Sequence, residues 1–287
     1  MEGADQRVLQ ALVDANEQQY GSYGEDEPCS KARALILEMT ACPSAAVHFV
    51  VGGTQANLTV ISAALRPWEG VLCADTAHIA VHETGAIEAT GHKVLALPGR
   101  DGKISASQVE AAYNAHHQDI THEHIVKPAM VYISHPTEMG TLYTREELGA
   151  LSEFCKAHDL LLFLDGARLG YGLAADPRVD LPFLARCCDE FTIGGTKVGA
   201  LFGEAVVFTN PALVSHFTTI TKRHGGLLAK GWLLGVQFMA MLKDEYKVEC
   251  VVANPPVHNT VPYIAEQAPG QDLPISDEVG ARIFCPP

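Results

Sequence analysis

Short apolar runs alternate with longer amphipathic stretches between residue 30 and about residue 246 of the 287-residue chain. Ala46–Val51 is one such run, stopped by Gly52-Gly53, and it predicts a buried strand. Val71–Ala74, Lys93–Leu97, Ala129–Ser134, Leu160–Leu164, Asp189–Ile193 and Ala205–Thr209 repeat the pattern. Between them, Lys31–Thr40, Thr54–Leu65, His78–Thr90, Ser105–His117 and Thr144–His158 carry helical periodicity, which returns over Gly231–Tyr246. Ser105 stands where an N-cap belongs, and Thr144 with Glu147 three positions later forms a capping box. Leu160–Leu164 has no polar residue, as expected of a strand covered on both faces. The alternation predicts an α/β fold with a mostly parallel sheet and helices on both faces. In such sheets ligands bind at the carboxyl ends of the strands.

The two ends of the chain read differently from its middle. Residues 1–20 predict an N-terminal helical segment and residues 21–246 the main domain. Residues 247–287 predict an irregular tail, because Pro255, Pro256, Pro262, Pro269, Pro274, Pro286 and Pro287 crowd into it. Composition adds limits. Apolar residues at 47% against 19% charged residues exclude a disordered chain, and the net charge of −14 argues against a nucleic-acid partner. No basic stretch leads into an apolar run at the start, and no run approaches the length of a membrane helix. The expectation is a cytoplasmic protein with no membrane partner. The eight cysteines form no C-x-x-C pair and read as reduced thiols. His116, His117, His122 and His124 cluster, but without a carboxylate on a shared helix face, so no metal is expected.

Three places carry candidate chemistry, each after a predicted strand. Gly52-Gly53-Thr54 leads from a strand into a helix. Glycines allow close approach of an anion and a helix N-terminus offers free N–H groups, although an ordinary strand–helix turn looks the same. Asp165 ends an apolar strand three residues before Arg168; it reads as a carboxylate aimed at a cation, as a helix cap, or as the partner of Arg168. Lys197 sits in Gly194-Gly-Thr-Lys-Val-Gly199, where small neighbours desolvate an amine and make it a nucleophile; a solvated surface lysine is the alternative. An anion cup, a strand-end aspartate and a desolvated lysine together are what pyridoxal 5'-phosphate requires.

In Tyr23-Gly-Glu-Asp26, Val51-Gly-Gly-Thr-Gln-Ala-Asn57, Ala77-His-Ile79 with Glu83-Thr-Gly85, Leu164-Asp-Gly-Ala-Arg168, Gly194-Gly-Thr-Lys197 and Lys222-Arg-His-Gly-Gly226, the chain resembles a known family. This is the threonine aldolase / β-eliminating lyase group of fold-type I pyridoxal phosphate enzymes. The resemblance implies that Lys197 bonds covalently to the cofactor and Asp165 meets its pyridine nitrogen. It implies that Gly52, Gly53 and Thr54 hold the phosphate, that Thr196 adjoins the cofactor, and that His78 stacks on the ring. Arg168 would contact the cofactor or the substrate carboxylate, His124 the substrate hydroxyl, and Lys222 the neighbouring subunit's site in a homodimer or homotetramer. The implied reaction is cleavage of threonine or allo-threonine to glycine and an aldehyde. A β-elimination from an aromatic or sulfur-containing amino acid uses the same cofactor shell, and a non-catalytic homologue would keep the same fold. The pattern is lost after Tyr246, so a truncated or divergent C-terminal small domain is expected.

Overall fold

The structure, a computed structural model, describes residues 3–242. The end of the predicted last helix and the proline-rich tail lie outside the described residues. Elements follow one another as α1 (Gln6–Ala15), α2 (Glu27–Thr40), β1 (Ala46–Val50), α3 (Gly53–Ala64) and β2 (Glu69–Ala74). Next come α4 (His78–Val81), β3 (Lys93–Leu97), α5 (Ala106–Gln118), β4 (Lys127–Ser134), α6 (Arg145–Ala157) and β5 (Leu161–Asp165). The described chain closes with α7 (Leu169–Ala175), α8 (Leu181–Cys187), β6 (Glu190–Gly194), β7 (Glu204–Phe208), α9 (Phe217–Arg223) and α10 (Trp232–Leu242).

All seven strands form one sheet in the order β1-β7-β6-β5-β4-β2-β3. The pairs β2–β3, β2–β4, β4–β5 and β5–β6 are parallel. Only β7 runs against its neighbours, antiparallel to both β1 and β6. Every residue of β2, β6 and β7 is buried, so both faces of the sheet are covered. α5, α6 and α8 pack on β4, β5 and β6, α2 and α10 pack on β1, and α3 packs on β7. The mostly parallel α/β sheet expected from the sequence is the one observed.

Local chemistry explains several boundaries. The Ser105 hydroxyl accepts the Gln108 N–H while the Gln108 side chain accepts the Ser105 N–H, and Thr144 and Glu147 repeat that box at the start of α6. The long helix expected over His78–Thr90 is corrected to one turn, α4, followed by a short 3-10 turn at Glu88–Thr90. Thr84 at φ 53° and Gly85 at φ 71° adopt left-handed backbone, which ends right-handed helix in between.

Candidate active site

Register brings the chemistry to one end of the sheet. Ser134 at the end of β4 lies opposite Asp165 at the end of β5. Because β7 is antiparallel, its first residue, Glu204, sits at that same end, opposite Gly194 of β6 and Val50 of β1. β1 then runs into Gly52-Gly53, and β6 into Gly195-Thr196-Lys197. Gly166 lets the ends of β5 and β6 meet closely, because a Cβ there would collide with the Thr192 carbonyl.

Asp165 is 5% exposed and fully engaged. Its Oδ2 accepts from the Tyr132 hydroxyl at 2.6 Å and the Asn57 amide at 2.9 Å, and its Oδ1 accepts from Ala167 N–H at 2.8 Å. Burial, and then the Asp165 charge, push the Tyr132 hydroxyl well above its ordinary range, so it remains a donor. Among the described residues no ion pair joins Asp165 to Arg168. α7 is capped at Arg168 without a side-chain bond, so capping that helix is not the role of Asp165 either.

The same network reaches a histidine. Asn57 Nδ2 also donates to Glu83 Oε1 at 2.8 Å, and that oxygen lies 2.8 Å from Nδ1 of His78. Buried Glu83 thus fixes the imidazole from one side, leaving Nε2 for other partners. Glu138 holds the backbone of the same turn: its Oε1 accepts His78 N–H at 3.0 Å and the Ser134 hydroxyl at 2.6 Å.

Lys197 is half-buried, and its carbonyl accepts from the Tyr171 hydroxyl at 2.7 Å. Burial foremost, then the nearby Arg168 guanidinium, lower its pKa; Asp165, Glu204 and Glu138 oppose them. Thr196, next to it, accepts Gly203 N–H at 3.0 Å on its hydroxyl. Gly52 caps α3 with no side-chain hydrogen bond, and a Cβ on Gly52 or Gly53 would meet nothing within 4 Å. Open space therefore faces the free N–H groups of α3, with Thr54 beside them in its first turn.

Residues 6–254 match the family model of the beta-eliminating lyases. The chain belongs to the beta-eliminating lyase family. Within it, a low specificity L-threonine aldolase of Pseudomonas aeruginosa is 32% identical over 242 residues, 82% of this chain and 67% of that protein. The solved structure of Leishmania major threonine aldolase is 47% identical, with a TM-score of 0.81 over 85% of this chain and 71% of that one. Aspartate aminotransferase from Thermus thermophilus, 15% identical with a TM-score of 0.64 over 85% of this chain and 63% of that one, shares the fold alone. This beta-eliminating lyase fold is the fold-type I architecture of pyridoxal phosphate-dependent enzymes.

Not every residue singled out from the sequence reaches this site. Lys197, Asp165, Arg168, His78, Thr196, Gly52, Gly53 and Thr54 lie at the carboxyl end of the sheet. His124 does not. It ends a 3-10 turn just before β4 begins, whereas Asp165 pairs with the last residue of that eight-residue strand. At about 3.3 Å per residue, the length of β4 separates them. Lys222 is exposed on α9, with its ammonium 4.4 Å from the centre of the Tyr23 ring. Sequence reasoning passed over Asn57, Glu83, Tyr132, Glu138 and Glu204. Asn57 and Glu83 stood inside quoted motifs without a role, Tyr132 hid in an apolar strand, and Glu204 fell one residue outside the predicted strand Ala205–Thr209.

Proposed function

We propose that this chain cleaves a β-hydroxy-α-amino acid, threonine or allo-threonine, to glycine and an aldehyde with the help of pyridoxal 5'-phosphate. The observation that carries the reading is the convergence of a desolvated lysine, a strand-end aspartate and an uncapped glycine turn at one end of the sheet. The residues fit the cofactor chemically. A Lys197 amine with a lowered pKa supplies the nucleophile for its aldehyde, Gly52, Gly53 and Thr54 supply donors for its phosphate, and buried Asp165 supplies a fixed anion for its pyridine nitrogen. When bound, the cofactor supplies an electron sink for the pair released as the Cα–Cβ bond breaks.

The remaining work falls to the chain's own side chains. Asp165, oriented by Tyr132, Asn57 and Ala167 N–H, holds a proton on the ring nitrogen. Glu83 holds Nδ1 of His78 and leaves Nε2 to serve as the base for the β-hydroxyl proton of the substrate. Thr196 fixes the loop that carries Lys197. Arg168, half-buried beside the lysine, offers a guanidinium to the substrate carboxylate or to the cofactor. Lys222 serves the neighbouring subunit's site in a homodimer or homotetramer. Exposed Tyr23, Val81 and Leu201 support such an assembly: Tyr23 is the ring partner of Lys222, Val81 ends the His78 turn and Leu201 follows the Lys197 loop. A cytoplasmic location accords with this chemistry, and no helix among the described residues is long and apolar enough to cross a membrane.

The test uses the purified full chain. Pyridoxal phosphate added to it gives the yellow colour of a lysine-bound cofactor, lost in Lys197→Ala, and threonine then yields glycine and acetaldehyde. Colour with pyruvate from a β-substituted amino acid, and no acetaldehyde from threonine, would move the reaction to β-elimination. Colour with neither product would make the chain a non-catalytic homologue, and no colour at all would remove the cofactor reading.

A further inference from the structure

Glu138 takes no part in the steps above, yet it grips the segment that carries the proposed base. One of its oxygens, Oε1, accepts the Ser134 hydroxyl at 2.6 Å and the backbone N–H of His78 at 3.0 Å. The second bond spans 60 residues of sequence and reaches a turn with little support of its own. α4 is four residues long, and its N-cap residue, Ala77, contributes no side-chain bond. Left-handed Thr84 and Gly85 keep the helix from continuing. The first N–H groups of a helix have no acceptor within it, so the N–H of His78 depends on Glu138. The carboxylate is itself held still, at the tip of a turn closed by buried Thr137 and Thr141. Thr137 N–H donates to the Thr141 carbonyl at 2.9 Å, and the two hydroxyls lie 2.7 Å apart. The Thr141 hydroxyl donates onward to the Asp101 carbonyl at 2.6 Å, which anchors the turn to the loop after β3.

We propose that Glu138 is a positioning residue for His78, fixing the base against Asp165 through the main chain. Its functional half rests on the aldolase reading, which gives the imidazole its role. Two routes then join the histidine to the aspartate, and they share no side chain between those ends. One starts at the ring and runs from Nδ1 through Glu83 and Asn57 to the Asp165 carboxylate. The other starts at the backbone and runs from the His78 N–H through Glu138 to the Ser134 hydroxyl. Ser134 faces Asp165 in the strand register, and the next residue, His135, donates its N–H to the Asp165 carbonyl at 2.9 Å. The ring route passes through side chains in series, each with rotatable bonds, so by itself it lets the turn drift. The backbone route holds the place from which the imidazole projects. What it requires of residue 138 is an acceptor oxygen rather than a net charge, and an amide carbonyl supplies one too.

The experiment reads the turn both without and with the reaction. In the full chain free of cofactor, mass spectrometry follows amide hydrogen exchange in the peptide that holds His78 and diethyl pyrocarbonate labelling of the His78 ring. Glu138→Ala speeds both by about tenfold, since it removes the acceptor of the His78 N–H. Exchange across α6 and labelling of exposed His124 do not change. With pyridoxal phosphate bound, the same variant releases aldehyde from threonine with kcat about 10- to 100-fold lower and KM within about twofold, the base being displaced rather than lost. Glu138→Gln, which keeps an acceptor, recovers most of each change. Unchanged exchange in Glu138→Ala overturns the proposal, and so does faster exchange with an unchanged kcat. A Glu138→Gln chain with a protected amide and a kcat as low as that of Glu138→Ala overturns it too, because the charge would then carry the role. Should Glu138→Ala fail to fold, Ser134→Ala takes its place with smaller changes in the same direction, and no change there is equally fatal. A parent chain that takes up the cofactor but releases no aldehyde sinks the aldolase reading, while exchange and labelling still decide whether Glu138 holds His78.

Discussion

Opposite ends of one sheet both carry histidines, and they use them differently. At the carboxyl end, His78 is held by a buried glutamate that shares an asparagine with Asp165. At the amino end, His116, His117, His122 and His124 lie within one stretch that finishes α5 and precedes β4. There the rings serve the backbone: His117 Nδ1 meets the Tyr113 carbonyl and His122 Nδ1 the Asp119 carbonyl, each at 2.9 Å. His117 also stacks on Tyr113, with ring centres 3.9 Å apart. Among the described residues no group of histidines, cysteines and carboxylates there could hold a metal. His116 and His117 stand in the last turn of α5, and His122 meets the carbonyl of its C-cap residue, Asp119. One imidazole tied to the buried carboxylate of Glu83 is the base of the proposed reaction. The location of a residue relative to the strand ends, and the origin of its partners, separates the two roles better than local density does.

The largest expected effect is at the carboxyl end. Lys197→Ala lowers aldehyde release from threonine by ~10³-fold or more and removes the bound-cofactor colour. His78→Ala lowers kcat by about 10²- to 10⁴-fold while the colour persists, since it removes the base and not the attachment point. Asp165→Ala leaves the Tyr132 hydroxyl and the Asn57 amide short of a partner, at about 1–3 kcal/mol each, and thermal unfolding reads it as a lowered Tm. A smaller effect concerns acid stability. Burial lowers the pKa of His135, just beyond β4, from 6.5 to about 4, and that of His48 in β1 likewise. The folded chain keeps these rings neutral while the unfolded chain takes up protons, so stability is lost as pH falls from 6.5 towards 4. His135→Gln therefore narrows the difference in Tm between neutral and mildly acid buffer, with His48, His116 and His224 supplying the rest. His124→Ala sits at the bottom of the scale: activity within about twofold of the parent and stability within ~0.5 kcal/mol. A hundredfold loss there would erase the distinction between the two ends.

The contrast also explains what could be read from the sequence. Periodicity, Ser105 and the Thr144–Glu147 box are local signals, and the elements they announce are present. The His78–Thr90 stretch misled because its apolar spacing is helical while Thr84 and Gly85 turn left-handed, which spacing does not encode. Lys197, Asp165 and the glycine turn were legible because each sits in an unusual local context at a strand end. Their partners were not. Tyr132 looks like any core aromatic until β4 is laid beside β5, and Glu204 gains meaning only when an antiparallel strand brings its first residue to the site. The resemblance implied His124 near the substrate hydroxyl, but the whole length of β4 stands between it and Ser134 at the site.

β7 has a consequence for how the protein is made. It lies between β1 and β6, so the strand ending at Val50 has no neighbour in the sheet until Glu204–Phe208 has left the ribosome. Until then β1 is an exposed edge, open to pairing with the wrong chain. The same insertion brings the glycine turn and the lysine loop to one place, so a half-synthesised chain has no complete pocket to fill. Occupancy of that pocket is thus a late event in biogenesis, one that reports that the most distant pairing in the sheet has closed.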